Sequence, residues 1–225
     1  MNLMHKLVPR NVQQYYMMQT VFSGGYTHAN YHYASQIIDS SIYGNIFHAD
    51  ISSSYPTEMI IEKVPMSQFF YYGKRLPDWR TFDYMAYIML IRFEDIECQS
   101  FNTYMQASKS NGYNIHYDNG RVLSAEYIDI WVTELDFTII RDTYTWRKME
   151  IIECWAAHKE YIPKIYTEFV LDMYAQKTEI KGIAEKAEEY ARLKELFYEE
   201  ASVPFGGYMT PLADYIDRTY FRDLE

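Results

Sequence analysis

Ile42-Tyr43-Gly44-Asn45-Ile46-Phe47-His48-Ala49-Asp50-Ile51-Ser52-Ser53-Ser54-Tyr55-Pro56-Thr57 is the stretch on which the reading of this chain turns. Residues 42–51 alternate as a strand does, with Ile46, His48 and Asp50 on one face and Phe47, Ala49 and Ile51 on the other. The serine run and Pro56 then make a turn. From Thr57 the chain reads as a helix, with Glu58 and Glu62 at i,i+4 on its wet side. A strand therefore delivers a carboxylate, Asp50, to a turn faced by a helix N-terminus. Asp50 and the Ile51 carbonyl offer oxygen to a hard cation such as Mg2+, and the helix N–H groups favour phosphate. Tyr55 would lie beside whatever the metal holds. A plainer reading of the same residues is a strand–turn–helix in which Asp50 and Ser52 only cap.

Upstream, Asn11 caps an expected helix through Val12–Met18, and Gly24-Gly25 then breaks it and lets a backbone approach something closely. Downstream, residues 84–95 and 127–133 and the run MEIIECWAAHKEY read as strands, rich in β-branched and aromatic residues. Asn111-Gly112 and Asn119-Gly120 each signal a hairpin turn. Thr133 opens a helix whose apolar side carries Leu135, Ile139 and Ile140. From about residue 163 to 201 the chain turns helical, with a stripe of Ile180, Ile183, Ala187, Tyr190, Lys194 and Phe197. Thr210-Pro211 starts a last helix. The expected class is α+β: an antiparallel sheet with helices on one face and a helical hairpin near the C-terminus.

The 225 residues carry a net charge of −10, which argues against a polybasic coat for nucleic acid but leaves room for a local basic groove. Aromatics make up 18%, with 24 tyrosines, a residue suited to half-buried strands. Cys98 and Cys154 read as reduced, buried thiols, and six scattered histidines lack zinc-site spacing. No apolar run approaches the ~20 residues that span a bilayer, and the N-terminus lacks the apolar stretch of a signal peptide. A cytoplasmic protein with no membrane partner is expected.

The order Asp50-x-x-Ser53-Ser54-Tyr55-Pro56 resembles motif A of family B DNA polymerases, and Phe22-Ser23-Gly24-Gly25-Tyr26 resembles that family's Tyr-x-Gly-Gly segment, in the style of the phage, protein-primed branch. Leu123–Asp136 is similar to the palm strand and helix between motifs A and B, and Tyr174–Gly182 to the start of the fingers helices. The resemblance runs from about residue 15 to at least 182 in four collinear segments. It implies a DNA-directed DNA polymerase that uses Mg2+ or Mn2+, with primer-template DNA and dNTP as partners. In that family Asp50 would be the catalytic metal ligand, joined by the Ile51 carbonyl. Tyr55 would be the gate against a 2′-hydroxyl, with Ser53, Ser54, Lys177 and Lys194 at the nucleotide and Gly24, Gly25, Tyr26 and Asn30 at the template. It further implies a palm over residues 1–165, holding an inserted strand region at about 62–160 where the protein-primed branch meets its priming protein. A fingers-like hairpin would follow at 166–203, then a return helix at 204–225.

The family pattern also fails in places. Aligning motif B from Lys177 brings its lysine onto Lys194, but the Asn-Ser-x-Tyr-Gly that should follow is absent. Residues 178–202 hold seven acids against four bases, a poor field for a triphosphate, and Lys194 reads as a lysine snorkelling from a packed seam ahead of a phosphate ligand. The Tyr-x-Asp-Thr-Asp hairpin of motif C is not found; Tyr127-Ile128-Asp129 comes in the wrong order, and Glu94 and Asp95 are other acids at a strand end. Exonuclease and thumb have no counterpart. Two readings follow. The first is a polymerase subunit whose motif C comes from a second polypeptide, and which is inactive alone. The second is a non-catalytic palm-derived module that binds DNA or a replication partner.

Overall fold

The structure is a computed structural model and describes residues 12–21, 33, 35–47, 54–100 and 103–202. Among them, α1 is Val12–Val21, α2 is Ser40–Tyr43 and α3 is Ser54–Ile61. Strands β1 (Val64–Pro65), β2 (Phe70–Gly73), β3 (Met85–Cys98), β4 (Ser110–Asp118) and β5 (Arg121–Thr133) follow. Then come α4 (Glu134–Thr143), β6 (Tyr144–Thr145), β7 (Lys148–Glu160), α5 (Lys164–Glu179) and α6 (Ala187–Ser202). The expected α+β class holds.

The described strands form an antiparallel sheet in the order β1-β7-β3-β5-β4, with β2 also on β7 and β6 on β3. The register of β3 on β5 is long and regular, Ile88 opposite Thr133 through Glu97 opposite Ser124. Period-2 burial follows from it: Tyr87, Met89, Ile91 and Phe93 point to one face and meet Phe137, Ile139 and Ile140 of α4. The inward set changes parity at Asp95, whose φ of 51° turns the strand so that Ile96 and Cys98 are buried instead. The opposite face is covered over Ala86 and Ile88 by α1, which buries Met17 and Val21 there beside Trp131 and Trp155. Removing each such side chain from water contributes about 1.5–3 kcal/mol.

Local chemistry explains the joints. The Asn119-Gly120 turn forms as expected, with φ of 48° and 76°, the pair of positive values that a tight β4–β5 hairpin needs. Asn111-Gly112 does not turn: both lie inside β4. Gly112 is required there for another reason, since a Cβ would come within 2.2 Å of the Tyr127 carbonyl on β5. Helix α4 starts on a capping box, with Asp136 N–H donating to Thr133 Oγ1 at 3.1 Å and Thr133 N–H donating to the Asp136 carboxylate at 2.8 Å.

Three further expectations are corrected. Residues 42–51 were expected as a strand, but Ser40–Tyr43 form a helical turn capped by Asp39, which accepts the Ser41 amide at 2.7 Å. Gly44 (φ 80°) ends that turn, and 44–47 pair with no strand among the described residues; residues 48–51 lie outside the described set. Second, Glu58 is not on the wet side of α3: it is 6% exposed, and Glu62 is half-buried, because α3 is packed rather than lying on the surface. Third, the stripe from Ile180 to Phe197 is not one helix face. Gly182 (φ 86°) breaks the chain between α5 and α6, so Ile180 is buried while Ile183 is 42% exposed. Neither cysteine is in a disulfide and both are buried, as expected.

Candidate functional site

The expected residues Gly24, Gly25, Tyr26, Asn30, Asp50, Ile51 and Ser53 lie outside the described residues. Ser54 and Tyr55 open α3, and their side chains are likewise outside the described set. The structure does describe the frame next to them. Helix α3, which follows Asp50 in the chain, sets Ile60 against Val170 of α5, on which Met173 and Tyr174 also pack. The helix after the expected metal strand is therefore seated on the helical hairpin that carries Lys177 and Lys194.

Lys177 is 7% exposed, with its ammonium 4.9 Å from the centre of the Tyr174 ring, one turn back on α5. Burial is the main force holding this ammonium below the ordinary lysine range; Tyr174 pulls it up, and the charges of Lys181 and Lys194 push it down again. Three cations from α5, the Gly182 turn and α6 thus share one neighbourhood. Lys194 is exposed, not on a packed seam, because the break at Gly182 ends the stripe that would have buried it. Lys181 was passed over in the sequence; the signal that could have found it is its place four residues after Lys177, in the turn that follows α5. A group of mutually repelling ammoniums beside a helix face suits a polyanion.

The acids considered as substitute metal ligands are committed elsewhere. Asp129 takes a two-pronged salt bridge from Arg92, at 2.7 and 2.6 Å. Glu94 accepts from Lys148 at 2.8 Å and from Arg147 at 2.9 Å, and Lys148 leads Arg147 in holding its carboxyl below the usual range. Asp95 is bound by Arg147 as well. Among the described residues no three His, Cys, Asp or Glu side chains converge as a metal site. No described helix is long and apolar enough to cross a membrane. Of the strand-region tyrosines, Tyr87 is core, Tyr72 packs edge-on against it, and Tyr71, Tyr84, Tyr113 and Tyr117 are exposed.

No protein-family model matches the chain, and no curated protein matches it. Solved structures do. The chain is similar to phi29 DNA polymerase complexed with primer-template DNA and incoming nucleotide substrates, with a TM-score of 0.67 and 15% identity over 87% of this chain and 32% of that one. It is similar to the same polymerase in an orthorhombic crystal form, with a TM-score of 0.62 and 18% identity over 89% of this chain and 32% of that one. The polymerase complexed with single-stranded DNA also matches, with a TM-score of 0.61, 15% identity and coverage of 87% and 30%. The likeness is one of fold, and this chain spans about a third of the length of those polymerase chains.

Proposed function

We propose that the chain is the palm and part of the fingers of a family B DNA polymerase of the phage, protein-primed type. It would be completed by a further polypeptide that carries the Tyr-x-Asp-Thr-Asp hairpin. The observation that carries this reading is the Lys177, Lys181 and Lys194 group, on a hairpin packed against the helix that follows Asp50, within a fold shared with a DNA polymerase. In this reading residues 1–165 are palm with an insertion at about 62–160, 166–203 are fingers-like, and 204–225 return to the palm.

Each residue then has a task. Asp50 and the Ile51 carbonyl hold the divalent cations, and Ser53 and Ser54 lie at the triphosphate with the lysines. Tyr55 stands under the sugar and excludes a 2′-hydroxyl. Gly24, Gly25, Tyr26 and Asn30 let the template backbone approach closely. Bound Mg2+ or Mn2+ supplies the two-metal chemistry of in-line displacement at the α-phosphate. Primer-template DNA and dNTP are the ligands, the insertion meets a priming protein, and the setting is cytoplasmic.

The test is primer extension. The isolated chain is expected to bind primer-template DNA but to add no nucleotide with either metal, since one carboxylate cannot clamp two ions. Adding the polypeptide with the acidic hairpin restores extension. Robust extension by the chain alone overturns this reading. A second reading, a non-catalytic palm-derived module, is favoured by the seven acids in residues 178–202. It predicts no extension even in the complex.

A further inference from the structure

Helix α5 carries one stripe inward. Val170, Met173, Tyr174 and Lys177 fall at i, i+3, i+4 and i+7. Val170 is buried, Met173 and Tyr174 are half-buried against it, and Ile60 of α3 packs on the same residue. A lysine closes this apolar stripe, buried in the last turn of the helix. The helix dipole favours a cation in a last turn. It favours one anywhere around the axis, so it does not account for a lysine on the inward side.

An aromatic face meets Lys177 there. The ammonium lies 4.9 Å from the centre of the Tyr174 ring. The negative face of such a ring attracts a cation, and more strongly out of water. Both residues make further interactions, so the ring is one hold among several. It is a hold fixed to the frame, because Tyr174 leans on Val170, where Ile60 of the helix that follows Asp50 also packs. It acts against a repulsion, since the charges of Lys181 and Lys194 both push on this ammonium. A lysine stem is flexible, and an ammonium already in place meets a phosphate oxygen without the entropy of fixing that stem.

We propose that Tyr174 is a positioning residue for Lys177, its ring face holding the ammonium where the triphosphate of a nucleotide meets it. This rests on the reading of Lys177 as a triphosphate contact and adds a residue to it. Tyr174 touches no substrate; it acts through the lysine. The ring carries the role and the hydroxyl does not. Tyr174→Phe therefore keeps the role, whereas Tyr174→Leu keeps an apolar side chain against Val170 and loses it.

The test uses the full chain with isotope-labelled lysine, Lys177 being assigned through Lys177→Arg. The ring current of Tyr174 should move the Lys177 ε-methylene resonance away from those of the exposed lysines. The chain is then titrated with dATP and Mg2+. Tyr174→Leu is expected to lose the ring-current shift and to weaken dATP binding about fivefold, the size of a partly desolvated cation–π contact, while Tyr174→Phe keeps both. Should Tyr174→Leu fail to fold, pentafluorophenylalanine at position 174 reads the same quantity, with a ring of similar shape whose face no longer attracts a cation. Wild-type affinity in Tyr174→Leu overturns the proposal, as does a Tyr174→Phe chain as weak as Tyr174→Leu, or a Lys177 resonance that no ring replacement moves. A wild-type chain that binds no dATP overturns the triphosphate reading of Lys177 and this role with it; wild-type binding that Tyr174→Leu leaves intact overturns this role alone.

Discussion

The Glu134 carboxylate lies 2.6 Å from the Lys159 ammonium, with the two side chains 0% and 8% exposed, and its other oxygen accepts the Tyr87 amide at 2.8 Å. One buried ion pair thus ties the start of α4 to β7 and β3. Replacing either partner alone leaves a charge in the core without its counter-ion. Glu134→Gln and Lys159→Met are each expected to cost about 3–5 kcal/mol, and the double replacement less than their sum. Denaturant unfolding of the four proteins reads the cycle.

Gly112 gives a second expectation. A Cβ there would come within 2.2 Å of a backbone atom, the Tyr127 carbonyl oxygen, which cannot swing aside as a side chain does. Gly112→Ala should therefore cost about 1–3 kcal/mol by forcing β4 away from β5. Gly120→Ala meets no neighbour but forces alanine into a φ of 76°, so it destabilises through backbone strain alone, by about 1 kcal/mol. Thermal melts separate the two, since only Gly112→Ala should also speed amide exchange in the middle of β4.

A third concerns the thiols. Cys98 and Cys154 are buried and not in a disulfide, and burial pushes the Cys154 thiol up to about 12. A thiolate is the reactive form, so at pH 8 a disulfide reagent should modify neither cysteine in the native chain and both after unfolding. Prompt native-state reaction of Cys154 would mean that β7 is not packed as described.

The sheet was legible because its strands repeat with period 2 and are rich in β-branched residues: 84–95 and 127–133 were both found, though each strand extends beyond those limits. Asn111-Gly112 misled because glycine serves a close approach as readily as a turn, and only the partner strand distinguishes the two. The expected strand at 42–51 failed for a related reason. Alternation is necessary for a strand but pairing makes it, and Asp39 and Gly44 cap a helical turn there instead. Glu58 looked wet because i,i+4 acids on a helix normally are; its burial depends on packing that no local pattern encodes. Lys177 was singled out from its segment, whereas Lys181 was not, since the charges of Lys181 and Lys194 reach Lys177 only where α5, the Gly182 turn and α6 come together.

Lys177 also sets a pH dependence. Its free-chain value lies below the ordinary lysine range, chiefly through burial, and a bound triphosphate would raise it. Ligand binding that favours the protonated form is strongest below the free-chain value and is lost as pH rises from there through the bound value. Nucleotide titrations should therefore take up protons and weaken in the alkaline range. Lys177→Met should abolish that dependence, whereas Lys177→Arg should keep binding and flatten it.

In the proposed function Asp50 belongs to a polymerase active site completed by a second acidic hairpin. The most direct measurement is template-directed incorporation by the complex of this chain with the polypeptide carrying Tyr-x-Asp-Thr-Asp, comparing wild type with Asp50→Asn. Asp50→Asn is expected to abolish incorporation while primer-template binding persists. Unchanged incorporation by Asp50→Asn would contradict it.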